Sequence, residues 1–146
     1  MSNCYIVSGY WAYPNGFGPG HLEMLHEIKS RMKDDDFIIV ICSNENQYKR
    51  KYKDFSRKYW ETYALIEPTL KEIFGADNFF TELSKDYDQT QRETLKYIIS
   101  RYGGHKIFVN SGGEYNKECL PEMEVKNLEF LFLEQPKISN SGKEKR

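Results

Sequence analysis

One histidine and the glycines ahead of it carry the clearest chemistry in this chain. Gly16-Phe17-Gly18-Pro19-Gly20 leads directly into His21, and Leu22-Glu23-Met24-Leu25 then opens a helical spacing. Before the loop runs an apolar segment that ends in Ser8-Gly9-Tyr10. A strand, a glycine loop and a helix in that order make an anion site. Glycines let backbone N–H groups approach a phosphate, and the start of the helix adds partial positive charge. A histidine in the first helical turn adds a proton donor or a cation where phosphate charge would sit. A second concentration of charge follows: between Gln47 and Lys58 lie Lys49, Arg50, Lys51, Lys53, Arg57 and Lys58, against the single acid Asp54. Together these residues point to a nucleotide or another phosphorylated ligand.

Such residues need a scaffold to bring them together, and the hydropathy pattern supplies one. Cys4 to Gly9 reads as a buried strand, and Leu22, Leu25, Ile28 and Met32 form the apolar stripe of a helix over 20–32. Phe37 to Cys42 is apolar on both faces, as a strand covered above and below must be. Tyr59, Tyr63, Ile66, Leu70 and Ile73 keep helical spacing up to Gly75, with Pro68 predicting a kink or two short helices. Asn78 to Leu83 is a third strand. Asp88-Gln89-Thr90-Gln91 resembles a capping box for a helix whose buried stripe is Leu95, Ile98, Ile99 and Tyr102, stopped by Gly103-Gly104. Lys106 to Asn110, a short helix over Cys119 to Val125, and Leu128 to Leu133 complete the set. Alternating strands and helices predict a Rossmann-like α/β fold: a doubly wound, mainly parallel five-stranded sheet with helices on both faces. Ligands of such sheets bind beyond the carboxyl ends of the strands. The polar loops 10–20, 43–58 and 110–117 should therefore converge on one cleft. Residues 1–135 form a single domain in this reading, and 136–146 a C-terminal segment and polar tail.

Composition narrows the partners. With 22 acids against 21 basic side chains and a net charge of −1, no global field draws the chain to nucleic acid or an anionic membrane. Cys4, Cys42 and Cys119 are scattered without a CxxC pair, so neither a disulfide framework nor a metal site is predicted, and a reducing compartment is expected. The sequence carries no basic-then-apolar leader and no long apolar span, which predicts a soluble cytoplasmic protein.

The order of these segments resembles that of nucleotidyltransferases of the cytidylyltransferase-like superfamily, above all the small glycerol-phosphate, ethanolamine-phosphate and sugar-phosphate cytidylyltransferases. The likeness begins with the strand into Ser8-Gly9-Tyr10, the loop closing on Gly20-His21, and a strand ending in Asn44-Glu45-Asn46-Gln47 before lysines. Further along, Phe108-Val109-Asn110-Ser111-Gly112-Gly113-Glu114-Tyr115-Asn116 looks like the family's strand and Gly-Gly-Asp segment, and Leu120-Pro121-Glu122 like the start of its next helix. Glu129 to Phe132 followed by Lys137-Ile138-Ser139-Asn140-Ser141 looks like its last strand and Ile-Ser-Thr/Ser motif.

The resemblance implies transfer of a nucleotidyl group, CMP before AMP, from a nucleoside triphosphate to a small phosphorylated alcohol or sugar, with pyrophosphate released. It implies magnesium held mainly through the nucleotide phosphates, and a homodimer, which the aromatic surplus also suggests. His21, Lys49 and Lys51 would be the catalytic groups, with Lys53 beside them. Ser8, Gly9, Tyr10, Gly18 and Gly20 would meet the triphosphate. Asn110, Gly112, Gly113 and Glu114 would shape the base pocket, and Lys137, Ser139 and Ser141 would close over the phosphates. His26 and His105 match nothing and read as surface or helix-end residues.

The chain departs from the family at its first motif. Where the signature is His-x-Gly-His, this sequence has Gly18-Pro19-Gly20-His21, on a longer loop in which Trp11-Ala12-Tyr13 obscures the usual Asp or Asn. The family's later Glu-Arg pair is not recognisable around Tyr63 to Pro68. A non-catalytic relative that binds a nucleotide or nucleotide-like signal is therefore the alternative. A dinucleotide module, suggested by Gly16-x-Gly18-x-Gly20, is weaker, because the spacing is not GxGxxG.

Overall fold

A computed structural model describes residues 2–52, 57–86, 92–102, 105–110 and 128–131. In chain order they form β1 (Asn3–Gly9), α1 (Pro19–Arg31), β2 (Phe37–Cys42), α2 (Glu45–Lys51), α3 (Tyr59–Phe74), β3 (Phe79–Leu83), α4 (Arg92–Arg101), β4 (Lys106–Asn110) and β5 (Leu128–Leu131). Four parallel strands in the order β3-β2-β1-β4 make the body of the sheet, and the short β5 pairs in parallel with β4.

The period-two alternation of the strands divides the core into two layers. Tyr5, Val7, Ile38 and Val40 point to one face, where Leu25 and Ile28 of α1 and Ile66, Leu70 and Phe74 of α3 cover them. Cys4, Ile6, Ile39, Ile41, Ile107 and Val109 point to the other, against Leu95, Ile98 and Ile99 of α4. Helices thus lie on both faces, in a broadly Rossmann-like arrangement. The chain leaves β1 outward through β2 to β3, then returns across the opposite face to place β4 against β1. The strand order reverses between β1 and β4, where the carboxyl ends of such sheets open a crevice. No helix among the described residues is long and apolar enough to cross a membrane.

Three expectations are corrected. The segment 43–58, read as a polar loop, contains α2. Asn44 caps it by accepting the Gln47 N–H at 2.9 Å, while Gln47 Oε1 accepts the Asn44 N–H at 2.9 Å. Lys49, Arg50 and Lys51 fall in its last turn, where the helix dipole favours cations. Pro68 does not divide the helix it sits in: α3 runs continuously past it, because Thr62, Ile66, Leu70 and Phe74 form an unbroken buried stripe while Pro68 faces solvent. The loop 10–20 is not simply polar, since Trp11, Ala12 and Phe17 are buried. The expected capping box at 88–91, the glycine stop at 103–104 and the helix over 119–125 lie outside the described residues, as do positions 132 and 133 of the last strand.

An exposed proline inside a helix sacrifices a hydrogen bond without a packing return. Pro68→Ala should raise stability by about 2 kcal/mol, after allowing for the looser unfolded chain. Urea unfolding reads this directly, and a lower midpoint for the variant would show that Pro68 is needed for the path of α3.

Candidate functional site

The site region is built at the carboxyl ends of β1 and β2, where Gly9 stands opposite Cys42 in the parallel register. Immediately after β1 the chain turns sharply. Trp11 adopts a left-handed backbone, φ 51°, which costs a side-chain-bearing residue about 1–2 kcal/mol. The turn drives its indole into the core, where Nε1–H donates to the Ile41 carbonyl at 3.0 Å. Gly9 eases this approach, because a Cβ there would lie a tight 3.0 Å from the indole ring. Arg57 locks the turn from outside, donating through Nη1 to the Trp11 carbonyl at 3.0 Å and through Nη2 to the Tyr13 carbonyl at 3.2 Å.

The loop then delivers the chain to α1. Gly18 is the residue before the helix, Pro19 and Gly20 follow, and His21 is the third helical position. His21 turns back so that its Nδ1 accepts the Gly18 N–H at 3.1 Å. An accepting Nδ1 is unprotonated, so the neutral ring carries its proton on Nε2. The imidazole is half-buried, edge-on to Trp11 at 4.8 Å between ring centroids and to Phe17 at 6.4 Å. Burial pushes its pKa down from 6.5 to about 4. His21 is therefore a neutral hydrogen-bond donor near pH 7, and the cation considered from sequence is not available there.

The second loop is tied to the first. Ser43 Oγ donates to the Gly9 carbonyl at 3.3 Å, and the buried Tyr48 of α2 donates its hydroxyl to the Tyr10 carbonyl. Thr62 of α3 lies 3.2 Å from the Tyr48 oxygen, and burial raises the Tyr48 pKa to about 12, so this phenol stays protonated and structural. Tyr10 packs edge-on to Tyr48 and Tyr52, and the Lys51 ammonium sits 4.5 Å above the Tyr10 ring. Lys49 points outward to Glu45 at 3.5 Å, an exposed pair of small energetic weight. A third loop joins through Asn44, whose Nδ2 donates to the carbonyls of Ser84 and Asp86 at 3.2 and 2.8 Å. The buried Asp86 carboxylate accepts the Glu93 and Thr94 N–H groups at the start of α4 and the Thr94 hydroxyl at 2.7 Å.

Ser8, Gly9, Tyr10, Gly18, Gly20 and His21 thus belong to one strand-loop-helix unit, and Lys51 joins it through Tyr10. Asn110 ends β4 one strand away, paired with Leu131. Lys53, Gly112, Gly113, Glu114, Lys137, Ser139 and Ser141 lie outside the described residues. Of the other histidines, His26 is exposed on α1, and His105 lies near the opposite end of the sheet with Nδ1 2.9 Å from Ser2 Oγ. Among the described residues no group of three or more His, Cys, Asp or Glu could hold a metal ion.

No known family model matches this chain, and no curated protein matches it. The likeness to nucleotidyltransferases therefore rests on the motifs themselves and their order. Sequence reasoning passed over two positioning groups, Trp11 and Arg57. The signal for Trp11 was a large apolar residue two positions after Gly9 in an otherwise polar stretch; Arg57 was hidden within a charge run.

The buried neutral state of His21 has a consequence for stability. The unfolded chain takes up a proton near pH 6.5 that the folded chain resists until about pH 4. The stabilising contribution is complete above the unfolded value and is lost as pH falls through this window, amounting to about 3 kcal/mol. His21→Asn keeps an acceptor for the Gly18 N–H but cannot titrate. Urea midpoints between pH 7 and 4 should fall more steeply for the wild type than for this variant; parallel profiles would contradict the buried neutral imidazole.

Proposed function

We propose that this chain is a nucleotidyltransferase of the cytidylyltransferase-like type, transferring CMP from CTP to a small phosphorylated alcohol or sugar. The observation that carries the reading is His21: a neutral imidazole with Nε2–H, held on the first turn of α1 beyond the carboxyl end of β1. It stands next to the strand-order reversal between β1 and β4, the crevice where sheets of this kind take nucleotides.

Nucleotidyl transfer asks little covalent help of a protein. A phosphate oxygen of the acceptor forms a bond to the α-phosphorus while the bond to the β-phosphate oxygen breaks, and pyrophosphate leaves with that electron pair. The protein aligns the two reactants and supplies donors where negative charge grows. His21 donates through Nε2–H to the triphosphate, and backbone N–H groups at the start of α1 add to the same field. Lys51, seated over Tyr10, brings a cation to the rim of the β1 loop, with Lys49 and Lys53 on the same segment. By the resemblance, Asn110, Gly112, Gly113 and Glu114 would receive the base, and Lys137, Ser139 and Ser141 would cover the phosphates. Asp86 is engaged by the N–H groups of α4 and Glu45 by Lys49. Magnesium would be held through phosphate oxygens and water, where its charge would neutralise the triphosphate. By the same resemblance the chain would work as a homodimer in the cytoplasm.

A second reading, a relative that binds a nucleotide without turning it over, is favoured by Gly18 at the position where the family carries its first histidine. Pyrophosphate release from CTP or ATP with a panel of phosphorylated alcohols and sugars separates the two. His21→Ala should lower turnover by about 10²–10³-fold, with CTP the better substrate. Binding of CTP without release from any pair selects the second reading. Release that survives the substitution would move the active site elsewhere.

A further inference from the structure

β3 closes one side of the sheet, and among the described residues no strand pairs with its outer edge. The phase of its ladder with β2 is fixed at both ends. The Ile38 N–H donates to the Asn78 carbonyl at 3.0 Å, and the Ser84 N–H to the Cys42 carbonyl at 2.8 Å. In a parallel ladder with Ile38 opposite Phe79, the backbone groups of Phe80 and Glu82 then turn inward to β2. Those of Phe79, Thr81 and Leu83 turn outward. Sheet edges are ordinarily blunted by proline, lysine or a bulge, and Phe79-Phe80-Thr81-Glu82-Leu83 has none of these. Phe80 and Leu83 are exposed, at 46% and 41%. A groove of about 540 Å³ runs beside the edge, with Glu67 and Lys71 of α3 and Arg101 of α4 among its walls. Its charges balance, Glu67 against Lys71 at 3.3 Å and Glu82 against Arg101 at 3.7 Å. A neutral groove of this kind selects neither an acidic nor a basic peptide, and a second copy of itself meets it without net repulsion.

We propose that β3 is a self-pairing edge: two copies of the chain join β3 to β3, antiparallel, about a two-fold axis at Thr81. The inference rests on the homodimer within the proposed function and gives that dimer a surface; nothing in it depends on the transfer chemistry. Such an axis keeps side chains on their own faces of the sheet, so it passes through a residue position. Centred on Thr81, it sets Phe79 opposite Leu83 of the second copy, and the outward N–H and C=O groups of Phe79, Thr81 and Leu83 all find partners. Centred on Glu82, two carboxylates meet across the axis, which like charges oppose. Centred on Phe80, Leu83 falls opposite Asp77, beyond the end of the strand, and its backbone groups are left over. The Thr81 register also brings the exposed Phe80 opposite Glu82 of the second copy, beside the Arg101 guanidinium, a cation for its ring. Unpaired backbone and exposed apolar surface are covered together by a patch complementary to itself, as a two-fold contact requires.

Sedimentation equilibrium over a wide concentration range tests this on the wild type, Phe80→Glu, Phe80→Lys and Thr81→Pro. Phe80 is exposed, so both of its variants should melt near the wild type. The wild type should be a dimer. Phe80→Glu sets a carboxylate opposite Glu82 of the second copy and should raise the dimer dissociation constant at least about tenfold. Phe80→Lys faces the same carboxylate and should stay at least about tenfold tighter than Phe80→Glu. Thr81→Pro removes an outward N–H that β2 does not use, and should also separate the copies. A dimer unmoved by Phe80→Glu or by Thr81→Pro, or loosened alike by glutamate and lysine at 80, would overturn this interface and leave the homodimer standing. A wild type that stays monomeric at every concentration would overturn the interface and the homodimer together. Pyrophosphate release from CTP, measured on the same wild-type protein, reads the transfer chemistry separately.

Discussion

The burial of one indole organises the functional end of this protein. Trp11 reaches the core only because its backbone is left-handed, Gly9 yields space to its ring, and the Ile41 carbonyl receives its N–H. Each condition costs something alone. A left-handed tryptophan is strained, and an indole N–H buried without a partner would be costly. Together they fix the exit of the chain from β1 in a single direction. Arg57 adds an outer restraint whose two-pronged geometry suits a pair of carbonyls as a lysine would not. The helix start, His21 and Tyr13 all inherit their positions from this turn.

The electrostatic character of the site follows from the same packing. With Trp11 and Phe17 around it, the imidazole loses water and its charge with it, so the group nearest the start of α1 is a dipole rather than an ion. Full charges sit at the rim, on α2. There Lys51 is steadied by the faces of Tyr10 and Tyr52, and Lys49 by a loose pair with Glu45. In the proposed function, a neutral inner donor with cations outside it would serve a polyanionic ligand. The inner group orients without an ionic desolvation penalty, and the outer charges attract from a distance.

The strands were legible because apolar runs such as Phe37 to Cys42 admit few other fates, and the stripe from Leu25 to Ile28 declared the face of α1. The reading of 43–58 as a loop let a charge run outweigh a local signal, although Asn44 and Gln47 are a capping box at the right spacing. Pro68 misled for the opposite reason: a local helix-breaking signal was weighed above a tertiary stripe that runs through it. The glycines were the subtler case. Gly9 and Gly18 read as openings for a phosphate, and at each the structure sets an aromatic ring of the same loop against the place a Cβ would take. Sequence spacing cannot distinguish a glycine that admits a ligand from one that admits a neighbour, because that depends on where Trp11 and Tyr13 are sent by a turn. The neutral state of His21 was illegible for the same reason, since it is set by packing.

The most direct test of this account is the ring-nitrogen NMR spectrum of His21, recorded at neutral pH without and with CTP. The account predicts a neutral ring protonated on Nε2 and bare on Nδ1, with CTP shifting the Nε2 signal and the indole signal of Trp11 beneath it. An imidazole that titrates near its ordinary value, with neither ring responding to CTP, would contradict it.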